Sequence, residues 1–519
     1  MITMKKTICL LLALIMIFSL AACNPDNKTS VNNNLDFEIG DTGGLKVPFG
    51  NGETIKMIGT DETNGASKYI YEKLSQITGL NVEPMLIPVS TAQEKIRVLL
   101  GSGDLPDVIG AGVGGLSTIN ELAMQGAFAA VSDHLDEMPN FQRLFGKDSD
   151  YNYIFKSCAA NDGKLYILPI YEMQRRVNLG MLYRKDIFDK HGLTMWNSPE
   201  TFYQTLKKLK ELYPESYPLS SKQGAALLSS YATAWGIKAY NVYYDEGAKA
   251  WKYSDTDPKM KEMLDFFNKL YKEELLDPEF LTNTQPVWTK KMVNGDSFIS
   301  FDWIGRLDMF VSQSTIPGYD LRYANPVGPN QTIETLPKIS NAGTVVAKND
   351  NSALTMKLMD FLYSDAGAEL MTCGVRGETF EVDENGKAKY LGFEEGKKIE
   401  ITDLAEKYGM WVQGTYTRVD KRSCYFNFTE REQEAQDWPE KCKGLEPADP
   451  VVNFTGDDVA EVSDISGKLS KKFEEVMFKY IVGTETGDAA WEKWCEQAKK
   501  LGSDRLVELY NKRHKELGL

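Results

Sequence analysis

Alternating strand and helix patterns near the start of the chain constrain its fold more than any other feature. Residues 54–58 have the composition of a β-strand, and Ile70, Leu74 and Ile77 recur at the spacing of one helix face. The same order repeats up to a third strand pattern at 106–109. Because strands that alternate with helices form a parallel sheet covered on both faces, the sequence predicts an α/β protein.

The N-terminus has the pattern of a secretory signal that ends in a lipobox. Two lysines precede an apolar run at 8–20, which is short for a membrane span, and Leu-Ala-Ala-Cys closes the run. This pattern resembles that of bacterial lipoproteins, whose cysteine carries a diacylglycerol anchor after cleavage. We therefore expect a signal peptide at 1–22, lipidation of Cys23 and a location on the extracytoplasmic face of the cell membrane. A signal peptide in which Cys23 is incidental is the alternative.

Length and composition restrict the function classes. With 519 residues, the chain exceeds what one hydrophobic core usually supports, which predicts two large lobes after a flexible polar tether at 23–50. A net charge of −15 opposes binding to nucleic acid and to anionic lipid headgroups. Three histidines make a zinc site or a His-based catalytic triad hard to assemble. The five cysteines beyond Cys23 have no paired or metal-like spacing, so they permit one disulfide but no disulfide framework.

Five short motifs are informative as an ordered set, although each alone is weak. They are Gly-Asp-Leu-Pro-Asp-Val at 103–108, Asp-Gly-Lys-Leu-Tyr-Ile-Leu-Pro at 162–169, Tyr-Arg-Lys-Asp-Ile-Phe at 183–188, Phe-Asp-Trp at 301–303 and Gly-Thr-Val-Val-Ala at 343–347. Their order resembles that of family 1 extracellular solute-binding proteins, which are the carbohydrate receptors of bacterial ABC importers. The resemblance continues to Trp491 and Trp494 near the C-terminus, as in long lipoprotein members of that family.

The resemblance implies a two-lobe clamp of the periplasmic-binding-protein type, with hinge strands and a central ligand cleft. The implied division assigns two segments to each lobe, namely 51–165 and 339–377 to lobe 1, and 166–338 and 378–519 to lobe 2. Such a protein captures a carbohydrate and delivers it to ABC permease subunits. The many aromatic residues favour an oligosaccharide, and we expect a monomer that needs no cofactor. A hinge couples ligand binding to a shape change that a transporter can detect.

The first candidates for sugar binding surround Trp303. A pyranose has one apolar face and a rim of hydroxyl groups, so its site needs a flat aromatic platform and planar polar groups. Trp303 lies just beyond a predicted strand, where α/β sheets present ligand-facing loops, and Asp302 and Arg306 lie close to it in sequence. The alternatives are a core tryptophan that closes the strand and a structural salt bridge between Asp302 and Arg306.

Further candidates follow other predicted strands. They are Asp61, Glu62 and Asn64 after the first strand, Tyr171 and Glu172 after the predicted hinge strand, Trp235, and Arg376 and Glu378 near the last predicted crossing between the lobes. The segment 60–64 is equally explained as an N-cap for the next helix. Trp235, which lies beside an alanine, is equally explained as a core residue.

A glycine-rich segment after the third strand matches a dinucleotide-binding pattern. Residues 110–115 have the sequence Gly-Ala-Gly-Val-Gly-Gly and precede a helical stretch. The segment does not open the first strand–helix–strand unit, however, and an exported protein has little access to nicotinamide cofactors. We therefore interpret Gly110 and Gly112 as positions whose backbone amides approach the bound ligand, with Asp107 at the strand end. A dinucleotide site is the alternative.

Other function classes have less support in the sequence. A calcium loop at 383–386 lacks the closing glutamate of an EF-hand, and a hairpin turn explains these residues better. A glycoside hydrolase or lyase needs two carboxylates across the scissile bond, which the sequence does not exclude. It contains, however, nothing that resembles a serine elbow, an H-E-x-x-H motif or a P-loop. A receptor for peptides or another non-sugar solute is the principal alternative, because fold does not determine the ligand.

Overall fold

The computed structural model of the protein describes residues 35–63, 65–222, 226–239, 242–446 and 448–519. The predicted signal peptide, Cys23 and Asn64 lie outside the described residues. In the described ranges, no helix combines the length and the apolar character that crossing a membrane requires.

Helices and strands alternate through most of the described chain. The strands are β1 (Thr54–Asp61), β2 (Asn81–Pro88), β3 (Val108–Ile109), β4 (Leu168–Tyr171), β5 (Leu179–Arg184), β6 (Val242–Asp245), β7 (Ala250–Tyr253), β8 (Ile299–Trp303), β9 (Leu321–Ala324), β10 (Ile333–Glu334), β11 (Ile339–Val346), β12 (Phe380–Val382), β13 (Ala388–Tyr390) and β14 (Leu445–Glu446). The helices are α1 (Tyr69–Thr78), α2 (Val89–Ser102), α3 (Leu116–Met124), α4 (Pro139–Phe145), α5 (Ile154–Ser157), α6 (Lys185–His191), α7 (Pro199–Leu212), α8 (Ala226–Trp235), α9 (Pro258–Lys272), α10 (Gln285–Asn294), α11 (Arg306–Gln313), α12 (Ser352–Tyr363), α13 (Asp365–Thr372), α14 (Ile401–Tyr408), α15 (Glu430–Asp437), α16 (Asp457–Val482), α17 (Asp488–Leu501) and α18 (Ser503–Leu517).

The larger sheet has five strands in the order β2-β1-β3-β11-β4. The first three strands along the chain are parallel, whereas β11 runs antiparallel to both β3 and β4. Ile70, Leu74 and Ile77 of α1 are buried, and Gly79 ends that helix in the left-handed conformation, with φ 75°. The predicted α/β class and the parallel pairing of the first three strands are confirmed.

The carboxyl edge of the larger sheet is where the chain leaves it and returns to it. Because β4 has the same direction as β1, its last residue, Tyr171, lies at the edge where β1 ends with Asp61. Ile339, the first residue of β11, pairs directly with Tyr171. The segment around Thr417 joins the same edge, because the Tyr171 amide donates to the Thr417 carbonyl oxygen over 2.8 Å. Three chain segments therefore meet at this edge.

The smaller sheet has the order β8-β5-β9, and its strands are all antiparallel. Leu179 pairs with Trp303, and Met181 pairs with Phe301. Side chains directly opposite one another in a sheet share a face, and every second residue of a strand returns to that face. These four side chains therefore form one apolar face of the smaller sheet.

The described residues form three apolar clusters. The smallest packs β5 and β9 against α10 and α11, and the two largest mark the two lobes. One surrounds the larger sheet, and the other combines the smaller sheet with the C-terminal helices α16 to α18. Phe380, Leu404 and Phe426 belong to the first cluster, although the resemblance assigned 378–519 to lobe 2. A buried hydrogen bond of 2.8 Å from the Trp411 indole to the Thr372 carbonyl oxygen ties this segment to α13. We therefore place residues up to about 428 with lobe 1.

The turn at 383–386 joins β12 and β13, which pair antiparallel. The Asp383 carboxylate accepts hydrogen bonds from the amides of Asn385 at 2.9 Å and Lys387 at 2.8 Å. Gly386 has φ 75°, which a side chain would make unfavourable. The predicted hairpin turn is confirmed.

Candidate functional site

A cavity of about 390 Å³ opens on lobe 2 at the carboxyl end of β8. Its apolar wall is formed by the shared face of β5 and β8, and by Tyr231 on α8. Ser221 and Thr332 also line it, and so do residues 335–337, which lead into β11. The cavity therefore adjoins a connection between the lobes and combines an aromatic surface with polar groups.

Trp303 is the most exposed aromatic side chain of this cavity. It is 47% exposed, whereas Phe301, on the same face and two residues earlier, is only partly exposed. A large apolar side chain that is exposed on a cavity wall favours contact with a ligand, because ligand binding removes its apolar surface from water. The geometry thus agrees with the predicted platform and not with the alternative of a core tryptophan.

Asp302 lines the cavity beside Trp303 and makes two ion pairs. The carboxylate is 3% exposed, and it lies 2.9 Å from Lys222 Nζ and 3.0 Å from Arg306 Nε. It also accepts a hydrogen bond of 2.9 Å from the Trp303 amide. The salt bridge between Asp302 and Arg306, the alternative to their predicted ligand contacts, is present, and it explains Asp302 as a residue that positions its neighbours. Lys222 and Asp302 line the cavity, whereas Arg306 lies behind Asp302.

Tyr171 and Glu172 lie in the hinge, where the chain leaves β4. The Tyr171 ring is buried among aromatic rings of lobe 1. Glu172 has φ 64°, an uncommon value for a residue other than glycine. Its carboxylate lies 3.2 Å from Lys338 Nζ and 3.1 Å from Lys421 Nζ. Glu172 therefore ties together the three chain segments of the hinge.

Asp61 holds the loop after β1. Its Oδ1 atom accepts hydrogen bonds from the amide of Thr63 at 2.8 Å and from its hydroxyl at 2.7 Å, and its Oδ2 atom accepts one from the Ala66 amide at 2.9 Å. Burial opposes ionisation, but these hydrogen bonds outweigh it and hold the pKa of Asp61 below its usual value. Both oxygens are thus engaged by the loop itself, whereas Glu62 is exposed beside it.

Asp107 lies at the edge of the larger sheet opposite to the hinge. It accepts hydrogen bonds from the Lys56 amide at 2.8 Å and from the side chains of Asn349 at 2.9 Å and Asn351 at 3.1 Å. Lys56 is near the start of β1, so these contacts are at its amino end. The geometry explains Asp107 as a carboxylate that fixes the loop after β11, and it does not support the predicted ligand contact.

Gly110 packs against another stretch of backbone. Its amide donates to the Ile58 carbonyl oxygen over 3.1 Å, and a Cβ atom at this position would lie 2.1 Å from the Gly414 oxygen. Gly112 has φ 84°, and a Cβ atom there would lie 2.6 Å from Ile96 Cδ1. The amide of Gly110 is thus used within lobe 1, so its glycine is explained by close packing and not by the approach of a ligand.

Replacement of Gly110 by alanine is expected to destabilise the protein by about 1–3 kcal/mol, because the new methyl group would clash with the Gly414 backbone. Urea unfolding of the variant and the wild type measures the difference. Gly101→Ala is the control, because a Cβ atom there meets nothing within 4 Å. Unchanged stability together with weaker ligand binding would restore the interpretation of Gly110 as a ligand-facing position.

The remaining candidates lie away from the cavity surface. Trp235 is 5% exposed in the core of lobe 2, with its ring 5.9 Å from that of Phe266. Arg376 forms an ion pair of 2.9 Å with Glu369 in lobe 1. Glu378 forms one of 2.8 Å with Lys73 of α1. Each of the three is therefore explained by contacts within its own lobe.

Sequence reasoning missed several residues of the cavity wall. Phe301 was recognisable, because it precedes Trp303 by two residues and therefore shares its face. Lys222 and Tyr231 gave no such signal, since they lie about 70 to 80 residues before Asp302 in the sequence. Among the described residues, no group of three or more histidine, cysteine, aspartate or glutamate side chains is placed to hold a metal ion.

Comparisons with known proteins agree with the two-lobe fold. Lipoprotein LipO of Bacillus subtilis (strain 168) is 22% identical over 495 residues, which cover 89% of this chain and 92% of LipO. The crystal structure of the alginate-binding protein AlgQ2 without calcium ion has a TM-score of 0.70 at 19% identity and covers 89% of this chain and 98% of AlgQ2. The ABC-transporter substrate-binding protein FusA of S. pneumoniae, in complex with kestose, also has a TM-score of 0.70 at 19% identity and covers 90% of this chain and 99% of FusA.

The family assignment rests on the sequence itself. Residues 59–369, more than half of the chain, match the family described as bacterial extracellular solute-binding protein. The matched region contains the smaller sheet, the cavity with Trp303 and the larger sheet from the end of β1 onward. The chain therefore belongs to the bacterial extracellular solute-binding protein family.

Proposed function

We propose that this protein is a lipid-anchored receptor that captures a carbohydrate outside the cell and delivers it to an ABC importer. The observation that carries the proposal is the exposed indole of Trp303 on the wall of a cavity beside the hinge. A flat aromatic surface suits the apolar face of a sugar ring, and the neighbouring hydroxyl groups suit its rim. The size of the cavity and its open side favour an oligosaccharide.

The similar proteins support a carbohydrate ligand. AlgQ2 is described as alginate-binding, and FusA was solved with kestose as an ABC-transporter substrate-binding protein. Both ligands are built from sugar units. Identity below 20% leaves the individual contacts free to differ, so the ligand of this chain is proposed from its own cavity.

The hinge supports capture by closure. Glu172, Lys338 and Lys421 join three chain segments at one point, so the lobes turn about a small number of backbone positions. Closure would bring the loop with Asp61 and Glu62 toward the cavity of lobe 2. A ligand that bridges the lobes stabilises the closed shape by its differential affinity, and the permease subunits then recognise that shape.

The proposal is tested by thermal-shift screening of residues 24–519 against a panel of oligosaccharides and a panel of peptides. A ligand at a hundred times its dissociation constant adds about 2.7 kcal/mol of stability, which raises the melting temperature measurably. Oligosaccharide hits that are recovered chemically unchanged support the receptor. Peptide hits alone would instead establish the non-sugar receptor, and shortened or unsaturated glycans would establish an enzyme.

Cys23 is expected to carry the lipid anchor. Cells that express the full chain with a labelled fatty acid should label the wild type but not Cys23→Ser, because the thiol is the attachment point. Cys9→Ser is the matched control, since this cysteine lies in the predicted signal peptide and its loss leaves the lipobox intact. Equal labelling of the wild type and Cys23→Ser would refute the anchor without affecting the assignment of the ligand.

A further inference from the structure

We infer that the captured carbohydrate is acidic, that is, an oligosaccharide that carries carboxylate groups such as those of uronic acids. The inference rests on the proposed function and deepens it. It is carried by two groups of side chains, one beside the cavity and one at the hinge, in each of which two cations share one carboxylate. The net charge of the whole chain is −15. A strongly acidic protein repels acidic polymers in general, so a local excess of cations at its cavity favours this class of ligand.

The first excess lies beside Trp303. Asp302 is paired with both Lys222 and Arg306, so this group of three side chains has a net positive charge. Lys222 and Asp302 are the charged side chains among the described residues that line the cavity. Lys222 Nζ also lies 3.5 Å from Gln285 Oε1 and 5.0 Å from the centre of the Trp288 ring. The Lys222 side chain is 13% exposed and the Asp302 side chain 3%, so the lysine is the more accessible of the two to a ligand.

The second excess lies at the hinge. Glu172 is paired with both Lys338 and Lys421, and again two cations share one carboxylate. The Lys421 side chain is 69% exposed, which leaves it able to reach a ligand that extends beyond the cavity. Pro337, the neighbour of Lys338, lines the cavity, so this group borders the same space.

Arg175 supplies a third positive charge close to the cavity. Its guanidinium donates to Asn178 Oδ1 over 3.2 Å and to the Tyr425 carbonyl oxygen, and its centre lies 3.5 Å from the centre of the Tyr425 ring. Within the described part of the chain it forms no ion pair, and its Nε atom is buried without a hydrogen-bond partner. Asn178 lines the cavity, so Arg175 lies one side chain away from it.

The two acidic residues of the loop after β1 leave this excess in place. Both oxygens of Asp61 accept hydrogen bonds from its own loop, so its negative charge is already stabilised there. Glu62 is exposed to water, where charge interactions are strongly screened. A ligand carboxylate that leaves water needs a cation and hydrogen-bond donors to replace its hydration, and the cavity with its border offers both.

The test compares oligogalacturonates with their methyl esters by titration calorimetry, because esterification keeps the ring and linkage and removes the charge. We expect the acid to bind at least about tenfold more tightly than the ester, and the difference to shrink between 20 mM and 500 mM salt. Alginate and glucuronan oligomers, each beside its ester, extend the comparison to other uronic acids. An ester or neutral glycan that binds as tightly as every acid would overturn the inference and leave the receptor intact.

A charge variant locates the effect. Lys222→Gln should reduce the preference for the acid over its ester by about tenfold, whereas Lys348→Gln, which removes the same charge at the opposite edge of lobe 1, should not change it. If Lys222→Gln fails to fold, the salt dependence of the wild type still decides the question. An unchanged preference in folded Lys222→Gln would contradict the assignment, and the absence of binding by any glycan would overturn the proposed function itself.

Discussion

Replacement of Trp303 by alanine is expected to weaken carbohydrate binding by about thirtyfold or more and to leave the fold intact. The indole is 47% exposed on the cavity wall, so its removal deletes the stacking surface without opening a cavity in the core. Truncation of an aromatic residue at the centre of a binding site typically costs ~2 kcal/mol or more. Titration calorimetry of the wild type and the variant with a hit from the screen measures the loss.

Trp303→Phe separates the aromatic surface from the size of the side chain. The smaller ring retains a flat face, so we expect this variant to bind more tightly than Trp303→Ala and less tightly than the wild type. The thermal stability of both unliganded variants should match that of the wild type within error. Wild-type affinity in Trp303→Ala would exclude Trp303 from the binding surface.

Replacement of Trp235 by alanine should reduce stability and not affinity, with a loss of about 3–5 kcal/mol in the free energy of unfolding. Trp235 is 5% exposed and packs against the ring of Phe266, so its truncation leaves a cavity inside lobe 2. Chemical denaturation followed by circular dichroism measures the loss.

The comparison with Trp303 makes this second variant informative. Both residues are tryptophans that the sequence proposed as stacking platforms, and the structure exposes one and buries the other. Binding measured well below the melting temperature of Trp235→Ala should remain within about threefold of the wild type. A variant with full stability and no affinity would instead place Trp235 at the ligand.

The sequence was a good guide where periodicity carries the information. Ile70, Leu74 and Ile77 define a helix face, and Gly79 marks its end, because both depend on residues within one helical turn. Trp303 was recognisable for a similar reason, since the end of a strand is visible in the sequence and α/β sheets bind ligands at strand ends.

The sequence was a poor guide where partners lie far apart in the chain. The hydrogen bonds of Asp107 come partly from Asn349 and Asn351, more than 240 residues away, and no local pattern reveals them. In the sequence, Gly110 has the pattern of a ligand-binding glycine. The residue that requires a glycine there is Gly414, which lies about 300 residues further on and therefore gives no local signal. Residues 380–426 likewise show apolar patterns but nothing that specifies which apolar cluster they join.

A sugar ring is expected to stack on Trp303 in the cavity beside the hinge. A crystal structure of the protein with an oligosaccharide from the screen would show this contact. We expect a sugar ring face in van der Waals contact with the indole, at about 4 Å, within reach of Lys222. A ligand bound elsewhere on the protein, with the Trp303 indole left in solvent, would contradict it.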